Sequence, residues 1–294
     1  MKRAAAVLAL LWPTAASAGP WTREFASYYA KAGADYYTAS GYVDPRTGEK
    51  SGEDYFGQSY GLYGEVGVLP AWPLQVSVLV PLSVGTSTFS DSLRFGDAQG
   101  HASTTRLGDG RVAVQTSILK EPFPLAIAAE LKIPLYANGS VADQPRYEQY
   151  RDYFPLPGDG QIDVTGWVLA GTAIPGVPMW VEGGVGWRHR TETFVGWDPP
   201  KPVEGPPISL ADGVTFRALA GLQLGRVLVM ASAEGIQNVS SNRYTRENVS
   251  LGPSVLVTIW RGLAIEGRFA WEAWAKNQSQ GIGFGFGVSM RDPT

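Results

Sequence analysis

A chain of 294 residues with Gly 36, Trp 10, Tyr 13 and only 17% charged residues suits one domain of many short strands and turns. Cysteine is absent, which excludes a disulfide framework and cysteine-based metal sites. A net charge of −3 offers no basic footprint for nucleic acid.

In chain order, Met1 to Ala18 has the three parts of a secretory signal peptide. Lys2 and Arg3 form the charged start, Ala4 to Trp12 the apolar run, and Ala16-Ser17-Ala18 the small-residue cleavage site. The apolar run is too short to span a bilayer, so export and cleavage are expected, leaving 19–294 as one domain. No later stretch approaches eighteen consecutive apolar residues, so any membrane insertion must be by strands.

Phe25 to Tyr37 is the first predicted strand, with Ser27, Lys31, Gly33 and Asp35 on one face; a polar loop, Gly41 to Asp54, follows. Tyr55 to Ser90 then sets the pattern for the rest. Leu74, Val76, Val78, Val80, Leu82 and Val84 share one face of a strand, and Gln75, Ser77, Pro81 and Ser83 share the other. The arm before it opposes Tyr60, Leu62, Val66 and Val68 to Ser59, Tyr63 and Glu65. Pro70-Ala71-Trp72-Pro73 between the arms cannot continue a ladder and makes a tight turn.

A polar loop is expected from Thr86 to Thr105, and strands then follow at Gly108 to Leu119 and Leu125 to Leu135. After a long loop, Asn138 to Gly158, strands at Gln161–Ile174 and Met179–Phe194 flank Pro175-Gly176-Val177-Pro178. A Pro-rich loop spans Gly196 to Pro207. Two more hairpins turn at Gly225 and at Arg261-Gly262, with a loop at Asn242 between them, and Gly281 to Met290 is the last strand.

The pattern predicts twelve strands with tight and long connections alternating, the tight ones after Leu69, Leu119, Ile174, Leu224 and Trp260. That layout is an all-β, single-domain, antiparallel up-and-down transmembrane β-barrel of the outer-membrane type, with both termini in the periplasm. Aromatics near strand ends suit two interfacial girdles: Trp72, Phe123, Trp180 and Trp260 at the tight turns, and Tyr136, Trp187, Trp271 and Trp274 nearer the loops.

The polar phase collects charges of both signs. Glu65, Glu130, Glu182 and Glu266 lie near the tight turns and should form a carboxylate tier. Arg111, Lys132, Arg188, Arg217 and Arg268 sit farther along, with Glu234, Glu272, Asp109 and Asp163 interleaved. Enclosed charges need partners, so these residues either cross-link the interior or define a constriction that selects solutes by charge. His189 falls in the lipid-facing phase two positions before Thr191, the one hint of a membrane phospholipase; His101 falls in a polar loop. Gly281, Gly283, Gly285 and Gly287 alternate with Ile282, Phe284, Phe286 and Val288, which is a bare lumen wall rather than a phosphate loop. The acids from Asp44 to Asp54 lack calcium-loop spacing.

Tyr60-Gly61-Leu62 running into Val78-Leu79-Val80-Pro81, then Leu107-Gly108-Asp109-Gly110, resembles the MetA-pathway-of-phenol-degradation family, as does Leu131-Lys132-Ile133-Pro134 ahead of Gly158-Asp159-Gly160. The resemblance implies an outer-membrane barrel of a Gram-negative bacterium passing hydrophobic or aromatic compounds. Passive solute passage with no enzymatic step, cofactor or metal is therefore expected. The expected partners are outer-membrane lipids and lipopolysaccharide, the barrel assembly machinery and a small-molecule solute. The competing readings are a phospholipase-like hydrolase and a closed barrel that displays loops.

Overall fold

The structure, a computed structural model, describes residues 19–42, 54–90, 99–121, 123–136, 158, 160–194, 211–240, 246–276 and 279–292. The expected signal peptide, the acidic loop 44–53, most of the loop 138–158, the Pro-rich loop 196–207 and the Asn242 loop lie outside the described residues.

The strands are β1 (Tyr28–Tyr42), β2 (Asp54–Gly67), β3 (Leu74–Ser90), β4 (Gln99–Leu107), β5 (Asp109–Leu119), β6 (Leu125–Pro134), β7 (Gln161–Ile174), β8 (Met179–Phe194), β9 (Gly213–Leu224), β10 (Val227–Asn238), β11 (Glu247–Trp260), β12 (Leu263–Lys276) and β13 (Ser279–Arg291). They form one antiparallel sheet in which sequence neighbours pair, β4 and β5 excepted, and β13 returns to β1. The sheet closes on itself as a barrel, which removes the free edges an apolar medium would penalise; among the described residues only β4 pairs on just one side.

β4 and β5 stack end to end against β3, so thirteen strands fill twelve positions. Pro81 causes the break. It has no N–H to donate, and the register slips by one residue where Gly108 donates its N–H to the Pro81 carbonyl at 2.8 Å.

The expected loop from Thr86 to Thr105 is a correction: β3 continues to Ser90, and Gln99–Leu107 is strand, placing His101 opposite Thr88 in a ladder. These segments are Ser- and Thr-rich and carry no apolar alternation. β1 likewise extends past Tyr37 to Tyr42. The alternation of connections also fails once, because only residues 277–278 separate β12 from β13.

The burial pattern is that of a soluble protein turned inside out. Leu62 and Phe286 on the outer wall are 65% and 64% exposed, whereas Gln75 and Asp163 inside are 1% exposed. Val78, Leu131, Val185, Ile265 and Phe284 join the outer band. Trp72, Phe123, Trp260, Trp187, Trp271 and Trp274 are exposed, as expected of girdles. Trp180 and Tyr136 are not: both are buried, which corrects their assignment. Gly225 and Gly262 take positive φ, 61° and 81°, at two-residue turns where a side chain would be strained.

Candidate functional site in the barrel lumen

Both termini lie at the tight-turn end, and there the chain before β1 turns into the barrel. Ala26, at φ 61°, helps reverse the backbone, and the Ser27 N–H closes the turn on the Glu24 carbonyl at 3.0 Å. The Glu24 carbonyl stands 2.0 Å from where a Cβ on Gly67 would be, so only glycine allows this approach.

Gly19 to Arg23 is then held by barrel side chains on every side. Gln115 Nε2 donates to the Gly19 carbonyl at 2.5 Å, and Ser117 Oγ to the Pro20 carbonyl at 3.0 Å. The Arg23 N–H donates to Gln75 Oε1 at 2.9 Å, and Arg23 Nε meets Glu65 Oε2 at 2.6 Å. Trp21 stands edge-on to Trp180 at 6.0 Å between centroids. It packs against a cluster of Trp180, Leu228, Met230, Leu256 and Ala264. This segment is a plug, and those apolar side chains on the lumen face are its socket.

Sequence reasoning missed the plug. One signal was present: near the tight turns the lumen phase of β10 and β11 changes from polar residues to Leu228, Met230 and Leu256.

Above the plug lies a cavity of about 560 Å³. Its charged lining is Lys31, Arg111, Arg217 and Arg268 against Asp35, Glu130 and Glu266. Lys31 pairs with Glu266 at 2.6 Å, Arg268 with Asp35 at 2.7 Å, and Arg111 with Glu130 at 3.4 Å. Arg217 lies over the Trp167 ring, 5.0 Å from its centroid. A smaller space of about 270 Å³ brings Glu182 and Glu234 beside Lys31, Arg217 and Arg268.

The acids expected as a carboxylate tier are drawn into pairs: Glu65 on β2 meets Arg23 of the plug, Glu130 meets Arg111 and Glu266 meets Lys31. Lys31 and Asp35, in the polar phase of β1, are the partners that sequence reasoning left out of the site.

Toward the other end, Asp163 is enclosed with Lys132 at 2.9 Å and Arg190 at 3.2 Å, and Lys132 also reaches Asp109 at 3.5 Å. The Tyr136 hydroxyl donates to Asp109 at 3.0 Å and accepts from the Gly160 N–H at 2.9 Å, which explains its burial. Arg188 donates to Asn238 at 3.4 Å, and the Tyr37 hydroxyl to Glu272 at 2.5 Å.

His189 is on the outer wall, as expected, with Nδ1 3.0 Å from Asp212. Burial pushes the Asp212 carboxyl up, but the Arg190 N–H and His189 outweigh it and hold it below the usual carboxylate range. Thr191 does not face this pair, because its hydroxyl donates to the Ile162 carbonyl at 2.7 Å. An acid and an imidazole are thus present, and the Thr191 hydroxyl is turned away from them. Among the described residues, no group of three His, Asp or Glu is placed to hold a metal ion.

This fold and lumen define a twelve-position outer-membrane-type β-barrel with residues 19–23 of its own chain folded into one end. Its structure is similar to that of the COG4313 outer membrane channel from Pseudomonas putida F1, with a TM-score of 0.65 and 10% identity over 94% of this chain and 100% of that one. It is also similar to the transport unit of the autotransporter AIDA-I from Escherichia coli, with a TM-score of 0.50 and 7% identity over 98% and 97% of the two chains. At such identities the likeness is one of fold. No family model and no curated protein matches the chain.

Proposed function

We propose that the protein is an outer-membrane channel for passive passage of small solutes, gated at its periplasmic end by residues 19–23. The observation that carries this reading is the cavity of about 560 Å³ above a removable plug. A barrel whose interior served only to be filled would close that space with side chains. Here a five-residue segment that pairs in no strand ladder lies beneath that space, so its withdrawal would open the end without moving a strand.

The lining favours anions. The side chains of Arg111 and Arg268 are 51% and 49% exposed, while their partners Glu130 and Asp35 are 22% and 39% exposed. An entering solute therefore meets guanidinium first, and a charged ring biases what passes. Trp167, Tyr63, Leu79 and Pro81 line the same space and offer flat apolar contact. Small amphipathic anions, aromatic acids among them, suit both features. The MetA-family resemblance implies hydrophobic or aromatic cargo and so supports the aromatic part of this reading, while the charge preference comes from the lining alone.

Planar-bilayer recordings of the refolded chain 19–294 and of a chain starting at Glu24 test the proposal. The first should be mostly closed with rare openings, and the second should conduct steadily and prefer anions. Absence of conductance from both would leave a closed barrel that displays loops. Esterase activity lost in His189→Ala would favour the hydrolase.

A further inference from the structure

Gly19, the first residue of the plug, is buried, and its backbone lies against the carboxylate of Glu182. A Cβ on Gly19 would stand 2.0 Å from Glu182 Oε2 and 3.0 Å from Oε1, so the carboxylate lies directly against this residue. Glu182 is itself 8% exposed. The position of Gly19 is fixed independently, because its carbonyl accepts from Gln115 and the next carbonyl from Ser117.

Immediately before Gly19 stands Ala16-Ser17-Ala18, the small-residue pattern of a signal-peptidase site. We propose that cleavage between Ala18 and Gly19 creates an α-ammonium group that pairs with Glu182, and that this ion pair seats the plug. The inference rests on the plugged-channel reading and deepens it.

Hydrolysis of the Ala18–Gly19 peptide bond consumes one water, leaving a carboxylate on Ala18 and an amine on Gly19. That amine takes up a proton at neutral pH. In the uncleaved chain the nitrogen offers one N–H and no charge; after cleavage it offers three donors and a full positive charge. A buried carboxylate gains most from a partner of that kind, in a site that excludes water. A larger first residue would push the Glu182 carboxylate aside, and glycine leaves it in place. Maturation would therefore do two things at once: it removes the export signal and completes the lock on the lumen.

The test uses protein isolated from outer membranes. Intact mass should place the first residue at Gly19. Reductive methylation of the α-amine, followed by mass spectrometry of the N-terminal peptide, then reads how well that amine is held. The reagent needs the unprotonated amine, so Glu182→Gln should be modified about tenfold faster than the parent, as expected when one close opposite charge is lost.

A second variant leaves the barrel untouched: one extra alanine after the cleavage site moves the ammonium by about 3.8 Å. It should be modified as fast as Glu182→Gln. Both variants should also open more often in bilayers. A mature chain that begins elsewhere, or equal methylation rates in all three proteins, would overturn the proposal. The methylation readout does not depend on conductance, so failure of the channel reading and failure of the ion pair are told apart.

Discussion

Asp35 on β1 and Arg268 on β12 form a 2.7 Å ion pair although β13 runs between them, and the pair crosses directly over Gly285. Lys31 and Glu266 do the same beside Gly287, and Tyr37 and Glu272 beside Gly281. The run of alternating glycines in β13 thus provides the empty lane in which side chains of its two neighbours meet. An ordinary side chain at Gly285 would occupy it: a Cβ there would stand 2.1 Å from Asp35 Oδ1 and 2.6 Å from Arg268 Cγ.

Two glycines of this lane should respond differently to alanine. At Gly285 the obstruction is two flexible, half-exposed side chains, which can swing away. Gly285→Ala should cost under about 1 kcal/mol, the worth of an exposed pair, while changing ion selectivity as both charges re-aim. At Gly281 a Cβ would stand 2.2 Å from the Thr38 backbone carbonyl, which cannot swing. Gly281→Ala should cost more than about 2 kcal/mol through overpacking. Urea titration of both variants in micelles checks this, and equal losses would count against the lane.

The lumen acids should differ in the same way. Asp163 is 1% exposed between Lys132 and Arg190, whereas the Asp35 side chain is 39% exposed beside Arg268. Removing one member of an enclosed pair strands the other's charge, so Asp163→Ala should lower stability by about 3–5 kcal/mol. Asp35→Ala should lower it by under about 1 kcal/mol. The comparison is made by unfolding midpoints of the two variants. A larger loss at Asp35 would mean that the stability of the lumen resides at mid-barrel.

On the outer wall, Val78→Arg and Leu131→Arg place a charge in the apolar band and should reduce insertion stability by about 2–4 kcal/mol near mid-membrane. Ser254→Arg projects into the 270 Å³ lumen space instead and should be tolerated far better. Refolding yields into liposomes report the difference. Similar penalties at all three positions would reject the assignment of the two faces.

Much of this barrel was legible because lipid forces alternation. Val76, Val78, Val80 and Leu82 form one apolar face that a soluble sandwich would share. The alternating connections with aromatics at strand ends favoured the barrel, and the strand order follows once the turns are placed. The signal fades where neither face meets lipid, and that is why Gln99–Leu107 passed for a loop. The lumen was legible in kind but not in pairing. Glu266 and Arg268 sit on one strand, yet each finds its partner on β1, two positions away in the sheet, through a gap left by glycines. The plug was the least legible part. Gly19 to Arg23 has no period to read, and what it binds is assembled from β2, β3, β5, β7, β8 and β10 to β12, far apart in sequence.

Trp21 gives the sharpest test of that plug. Its ring meets Trp180 edge-on at 6.0 Å and covers Leu228, Met230 and Leu256. None of the strand ladders includes Trp21, so truncating it should leave the barrel intact while weakening the seat of the segment. Full burial of a tryptophan is worth about 3–5 kcal/mol on truncation, and Trp21 is only partly buried, so about 2–3 kcal/mol is expected for Trp21→Ala. At 1.4 kcal/mol per tenfold, the open population of the plug should rise by roughly 30-fold or more. Leu228→Ala removes part of the socket from the barrel wall, so it should also raise the open population, but with a loss of barrel stability as well. Bilayer recordings give the open population, and unfolding midpoints give the stability. If Trp21→Ala lowered the midpoint and left the conductance unchanged, residues 19–23 would be a structural strut of the barrel and not its gate.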